Sequence, residues 1–249
     1  MDLVSTEVIL AAMIVAFYLK DSLLLLSPDE AVLVRGLGGR WHAGFGARGY
    51  KLAGKEPYLA NPLTPHAPVV RLAWSMRAAP APAAPADTLA LPSALAWLAP
   101  FAWVSWALLF VLIPTSVLAR WGVTATLWAV ALLYLNIVVA LVVVACLRQR
   151  LHLSKRAFAM LAFECLVCAP YSANLLRRVA AARPVGEDFT VAAARLLRPQ
   201  DLEAVHRECL ARIDEQLEVL PEDSPGALAL RQARQRFAAA AVTTPEEAA

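Results

Sequence analysis

Residues 88 to 119, TLALPSALAWLAPFAWVSWALLFVLIPTSVLA, and 121 to 147, WGVTATLWAVALLYLNIVVALVVVACL, contain no Asp, Glu, Lys, Arg or His, and Arg120 alone separates them. A hydrocarbon core of about 30 Å is crossed by roughly 20 apolar helical residues. Runs of 32 and 27 residues therefore each suffice, and together they read as a transmembrane helical hairpin turning at Arg120-Trp121-Gly122. Trp97, Trp103 and Trp106 on one helix, and Trp121 and Trp128 on the other, suit the headgroup level that tryptophan prefers.

Charge orients the hairpin. Arg148, Arg150, Lys155 and Arg156 follow the second helix at once, and basic flanks mark the cytoplasmic side. Before the first helix stand Arg35, Arg40, Arg48, Lys51, Lys55, Arg71 and Arg77. Both ends are thus expected in the cytoplasm and the turn outside. Residues 8 to 26, VILAAMIVAFYLKDSLLLL, form an earlier apolar segment interrupted by Lys20 and Asp21. No basic residue precedes it and no small-residue cleavage site follows, so it reads as an N-terminal membrane helix rather than a leader.

The expected fold class is a mainly α membrane protein: an N-terminal membrane helix (1–26), a cytoplasmic glycine-rich β region (27–76), a Pro/Ala linker (77–87), the transmembrane hairpin (88–147), a basic flank with a re-entrant or interfacial helix (148–183), an amphipathic helical region (184–242) forming a cytoplasmic helical hairpin, and a tail (243–249). In the β region, Ala31 to Arg35 reads as a strand, and seven of the ten glycines fall between Gly36 and Gly54, a density that marks tight turns. Trp41, Phe45, Tyr50 and Tyr58 are its expected core, and Asn61-Pro62, Thr64-Pro65 and Ala67-Pro68 are expected to hold an extended path.

Residues 157 to 176, AFAMLAFECLVCAPYSANLL, are apolar enough to cross but contain Glu164, Pro170 and Asn174. A crossing would put Arg177, Arg178 and Arg183 outside, against the charge rule, so a re-entrant or interfacial helix is the expectation and a fourth span the alternative. Beyond it, Leu202, Val205, Cys209, Ile213, Leu217 and Leu220 recur at three and four, the face of an amphipathic helix. Ser224-Pro225 starts another, with Leu228, Leu230 and Phe237 as its apolar side. Two short helices bury too little to stand alone, as do two or three strands. Docking of the C-terminal helices on the glycine-rich region, or on a partner, would cover both.

Chemistry is sparsely signalled. Gly44-Phe-Gly46-Ala-Arg-Gly49 matches G-x-G-x-x-G, but no helix or acidic partner follows at the required distance, so turns in hairpins are the better reading. Cys165-x-x-Cys168 and His206-x-x-Cys209 form a formal Cys3His set that would suit zinc, although each pair falls on a helix, where buried cysteine behaves as a small hydrophobe. Glu164 is the candidate membrane acid, since an ionisable group at membrane depth costs at least about 2.5 kcal/mol, with Lys155 or Arg156 as its expected partner. Asn136, deep in the second hairpin helix, is the candidate for helix association through a hydrogen bond. None of the four histidines lies inside a hairpin helix, so a bis-histidine membrane haem has no ligands. No P-loop or Ser-His-Asp grouping stands out, and no catalytic residue or cofactor is assigned.

Mean hydropathy of +0.56 and 59% hydrophobic residues mark an integral membrane protein rather than a nucleic-acid binder, because the net charge is only +3 and sits beside the apolar runs. The abundance of alanine, and of arginine over lysine, suggests a bacterial source. The expectation is a non-catalytic, multi-pass protein of the bacterial inner membrane, an anchoring or scaffold subunit binding partner proteins through cytoplasmic elements. A subunit of an oligomeric transporter or channel is the alternative, and a zinc or thiol membrane enzyme or sensor the second alternative. Partners would be the lipid bilayer, other membrane or cytoplasmic subunits, and a second copy of the chain.

Overall fold

The computed structural model describes residues 6–36, 39–74, 93–182 and 189–242. The Pro/Ala linker, Arg183 and the tail lie outside the described residues. The chain is mostly helical with small sheets, and it divides into two compact units. Unit 1 comprises 6–24, Leu59–Val69 and 93–182, and unit 2 comprises Leu25–Tyr58, 70–74 and 189–242.

In unit 1, helix α1 (Thr6–Asp21) is shorter than the apolar segment that contains it. The backbone N–H and Oγ of Ser22 both donate to the Tyr18 carbonyl, at 3.0 and 2.9 Å, closing the last turn. The four leucines that follow form strand β1 (Leu23–Leu26), along which the chain passes from unit 1 into unit 2, with Leu24 and Leu26 buried in alternation. A continuous apolar run does not distinguish a helix from a buried strand; here the pairing with β4 (Glu56–Leu59) decides it. Residues 61–67 also differ from expectation. Thr64 N–H donates to the Asn61 carbonyl and Ala67 N–H to that of Thr64, both at 3.1 Å, so the prolines shape consecutive turns rather than an extended path.

Two helices of this unit are long and apolar enough to cross a membrane: α2 (Ser93–Leu118) and α3 (Val123–Leu147). Within α2, Leu108–Leu112 forms a π-helical turn just ahead of Pro114. That proline has no N–H and its ring would crowd the carbonyl four residues back, and a π-bulge relieves both. The helix ends in a Schellman closure: Trp121 N–H reaches the Ser116 carbonyl at 3.0 Å and Arg120 N–H that of Val117 at 3.2 Å. Arg120 adopts φ +52° at the position usually given to glycine, and Gly122 follows at +93°. The outward faces of both helices are apolar and exposed, Leu118 at 82% and Val123 at 77%.

Residues 157 to 176 form no single long helix. Ser154 caps α4 (Lys155–Val167) by accepting from Ala157 N–H at 3.1 Å. The chain breaks at Cys168, takes one turn as α5 (Pro170–Ala173), and returns as α6 (Leu175–Ala182). Packing of α4 against α6, with α5 lying on α1 and α2, makes a helix-break-helix hairpin.

Unit 2 is built on strands β2 (Glu30–Arg35), β3 (Trp41–Phe45) and β5 (Val69–Ala73), in spatial order β3-β2-β5. β2 and β3 pair antiparallel, Ala31 opposite Phe45 and Arg35 opposite Trp41. Helices α7 (Phe189–Leu196), α8 (Pro199–Val219) and α9 (Pro225–Val242) complete it. Ser224 caps α9 by accepting from Ala227 N–H at 3.1 Å.

The expected mutual docking is present within this unit. Arg212 of α8 donates to Glu56 Oε2 at 2.5 Å and to the Gly46 carbonyl at 2.6 Å, and Gln216 Nε2 reaches the Pro28 carbonyl at 2.8 Å. The aromatic core is not the expected one. Tyr50 is exposed, and the buried rings that meet Phe45 are Trp74 and Phe189, at 6.0 and 6.1 Å between centroids. The stripe of α9 that faces inward is Ala227, Leu230, Ala233 and Phe237, while Leu228 points out.

Candidate functional site

The densest polar construction in unit 1 forms where α1 ends and α6 begins. Asn174 and Arg177 are one helical turn apart and so share a face, with an Arg177 Nη1 to Asn174 Oδ1 bond of 2.7 Å. Asn174 Nδ2 donates to the Tyr18 carbonyl at 2.9 Å, joining Ser22 on the same acceptor at the end of α1. Arg177, 1% exposed, donates from Nη1 to Ser22 Oγ at 2.7 Å and from Nη2 to the Asn61 and Thr64 carbonyls at 2.5 and 3.3 Å. One guanidinium thus ties the end of α1, the 61–67 turns and α6 together, a use that suits its fixed fork of donors. The negative end of the α1 dipole adds to the attraction.

The next residue makes the ionic half of the cluster. Arg178 grips Asp21 with two bonds from Nε, 2.8 and 2.9 Å, and pairs with Glu164 through Nη1. Its guanidinium also lies 3.8 Å from the centroid of the Tyr171 ring. Glu164 is therefore an ion-pair member whose partner is Arg178 rather than the expected Lys155 or Arg156, because the return of α6 brings a residue 14 positions on against α4.

Beside this cluster opens a pocket of about 420 Å³. Lys20 and Asp21 from the end of α1, Met160 and Glu164 from α4, and Arg177 and Arg178 from α6 stand on its wall, with Leu23 and Leu24 of β1 and apolar residues of α4 and α6 between them. Charged and apolar surface meet in one cavity.

Asn136 makes its hydrogen bonds within the helical hairpin of the chain. Its Nδ2 donates to the Phe101 carbonyl and to Ser105 Oγ, both at 2.9 Å. Ser172 Oγ of α5 in turn donates to Ser105 Oγ at 3.0 Å, so a track of hydroxyl and amide groups joins α3, α2 and the break between α4 and α6.

Of the cysteine and histidine candidates, Cys168 is half-buried at the end of α4 and the other three occupy packed positions. Cys165 is buried in unit 1, and Cys209 and His206 are buried in unit 2, where His206 meets the Phe237 ring edge-on at 5.5 Å. Burial pushes the Cys209 thiol well above its ordinary range and holds His206 below its usual value. Both are neutral at pH 7. Among the described residues no three His, Cys, Asp or Glu side chains come together in a metal-holding group.

The glycine motif also has a packing explanation. A Cβ on Gly44 would fall 2.4 Å from the Tyr58 ring and one on Gly46 2.3 Å from Glu56 Cβ, whereas Gly49 has open space and φ +81°. Two of these glycines let β4 approach β3, and the third makes a turn. Arg177, Ser22 and Asn174 carried no sequence signal as a group, since they are separated by up to 155 residues. The adjacent arginines at the end of an apolar segment were the only hint.

No family model, curated protein or solved structure matches the chain.

Proposed function

We propose that the protein is a non-catalytic integral component of the bacterial inner membrane, anchored by α2 and α3, whose unit 2 binds partner proteins in the cytoplasm. The observation that carries this reading is the pair of helices of 26 and 25 residues whose outward surfaces are apolar and exposed, since monomeric soluble proteins rarely show apolar patches of that extent. The side follows from chain continuity. Leu25–Tyr58 and 189–242 belong to one compact unit and so share a side, which requires an even number of crossings between them. α2 and α3 supply two, so the α4–α5–α6 segment enters and returns without crossing. The basic flanks make that shared side the cytoplasm, and α1 dips into or crosses the bilayer from the other end. Irregular backbone is tolerated at membrane depth only where protein buries it, and the break at Cys168 to Asn174 packs against α1 and α2.

The test has two parts. Alkaline carbonate should leave the protein in the membrane fraction, and a C-terminal alkaline phosphatase fusion should be silent while a cytoplasmic reporter is active. A photoreactive residue in place of Val219, 82% exposed on unit 2, should then give a discrete crosslinked protein in cells. Release by carbonate, an active phosphatase or the absence of any protein adduct would each count against the reading.

One observation favours a second reading, a subunit of an oligomeric transporter or channel. The Asn136–Ser105–Ser172 track runs through the middle of the helical hairpin to a broken helix, the arrangement in which membrane transporters place their binding sites. Leakage of small ions from proteoliposomes, lost on Ser172→Val, would move the assignment there.

A further inference from the structure

We propose that the pocket between α1, α4 and α6 holds the phosphodiester headgroup of an anionic phospholipid from the cytoplasmic leaflet. This rests on the membrane reading above. The wall carries three cations, Lys20, Arg177 and Arg178, against two anions, Asp21 and Glu164, a net charge of +1 that one phosphodiester monoanion balances. Arg178 is already gripped by Asp21 and Glu164, whereas Lys20 is exposed at the rim and makes no hydrogen bond or ion pair among the described residues. Its ammonium, a flexible point charge, is the group free to meet a phosphate.

The size of the cavity fits the same ligand. A cavity of about 420 Å³ lies at the lower end of small-ligand sites and takes a headgroup with its glycerol, leaving the acyl chains outside. The acyl chains also have a surface to follow. Met160 lines the pocket, and from it Phe163 and Val167 continue along α4 at helical spacing, exposed by 67% each. This apolar strip leads away from the charged cavity toward the helix-break end of α4, the deeper part of the re-entrant hairpin. An amphiphile matches both surfaces, and free phosphate only one.

The experiment uses the full chain in an uncharged detergent, titrated with short-chain phosphatidylglycerol, short-chain phosphatidylcholine or inorganic phosphate, with binding read by native mass spectrometry and thermal shift. Phosphatidylglycerol should bind at least tenfold more tightly than phosphatidylcholine, and inorganic phosphate should give no shift at the same concentration. Lys20→Gln should weaken phosphatidylglycerol about fivefold, the usual worth of one basic side chain near an anionic lipid surface. Arg207→Gln, an exposed charge change in unit 2, should not. Ala182→Trp, which fills the mouth without altering charge, should abolish binding while leaving the elution profile unchanged. Equal affinity for the two lipids, binding of phosphate as tight as that of the lipid, or a Lys20→Gln or Ala182→Trp variant that binds like the unaltered chain would overturn the proposal. If carbonate leaves the protein in the membrane and phosphatidylglycerol still shows no preference, the pocket assignment fails alone. If carbonate releases it, both fall.

Discussion

Two buried arginines do opposite things in the two units. In unit 2, Arg212 is held by carboxylates, Glu56 and Glu208, at 2.5 and 2.8 Å. In unit 1, Arg177 is named chiefly by uncharged oxygens: the Ser22 hydroxyl, the Asn174 amide and the Asn61 and Thr64 carbonyls. The first is a salt bridge that pins helix to strand, and the second is a clasp that satisfies backbone where helices end. The difference follows from what each unit must solve. Unit 2 joins two segments that are each too small to fold, and a directional ionic contact fixes how they meet. Unit 1 has to bury turns and helix ends among apolar helices, where leaving carbonyls without donors is the larger cost.

Breaking the ionic side should have the larger effect. Arg212→Met leaves Glu56, 9% exposed, as a buried carboxylate, and loss of one partner from a buried pair costs about 3–5 kcal/mol. Limited proteolysis of the full chain should then cut within α8 and α9 while the hairpin stays protected. Replacing both partners, Arg212→Met with Glu56→Leu, should recover much of that loss, because the desolvated charge is gone with its mate. A double variant no better than the single one would mean that the Gly46 carbonyl, not Glu56, is the important acceptor.

Arg177→Leu should cost somewhat less, about 3 kcal/mol, since hydrogen bonds to a charged group contribute about 1.5–3 kcal/mol each and part is recovered by relaxation. Arg177→Lys should rescue little, because one ammonium does not span Ser22 on one side and Asn61 on the other. Thermal unfolding in detergent, followed by tryptophan emission from the hairpin, reads this directly. A full rescue by lysine would reduce the clasp to a simple positive charge.

How much of this was legible in the sequence follows the same division. The charge-free runs from Thr88 to Leu147 announce α2 and α3 through length and polarity alone, and Pro199 and Ser224-Pro225 mark the starts of α8 and α9 by local capping chemistry. The docking of α8 and α9 on the glycine-rich region was legible as a deficit of burial in each. Local signals failed where a distant partner decides. Leu23–Leu26 became a strand only because Glu56–Leu59 lies beside it, and the expected aromatic core lost Tyr50 to solvent and took in Trp74 and Phe189. The site was least legible of all, since Ser22, Asn61 and Arg177 share no period or motif.

Glycine positions sharpen the comparison at a smaller scale. Gly46→Ala would drive a Cβ to within 2.3 Å of Glu56 Cβ, next to the Arg212 contact. Overpacking of this kind costs about 1–3 kcal/mol, so the variant should show a weaker form of the Arg212→Met phenotype in proteolysis of unit 2. Gly49→Ala meets nothing within 4 Å and is strained only through its φ of +81°, at about 1–2 kcal/mol. Equal effects at the two positions would show that the motif serves turns alone.

The smallest expected effect is in the hairpin. Asn136 joins α3 to α2 through Phe101 and Ser105, and Asn136→Leu exchanges two hydrogen bonds for apolar surface that the bilayer favours. Interhelical hydrogen bonds in membranes contribute about 0.6 to 1.7 kcal/mol, because the separated helices also find partners. Insertion should be unchanged, and steric-trap unfolding of the hairpin should show a loss of about 1 kcal/mol, well below that of Arg177→Leu. The contrast is physical: at Asn136 only a side chain loses its partners while the Phe101 carbonyl keeps its place within a helix, whereas at Arg177 the carbonyls of a turn have no helix to fall back on. A hairpin destabilised as strongly by Asn136→Leu as by Arg177→Leu would place the main polar anchor of unit 1 in the Asn136–Ser105–Ser172 track and would favour the transport reading over the anchor.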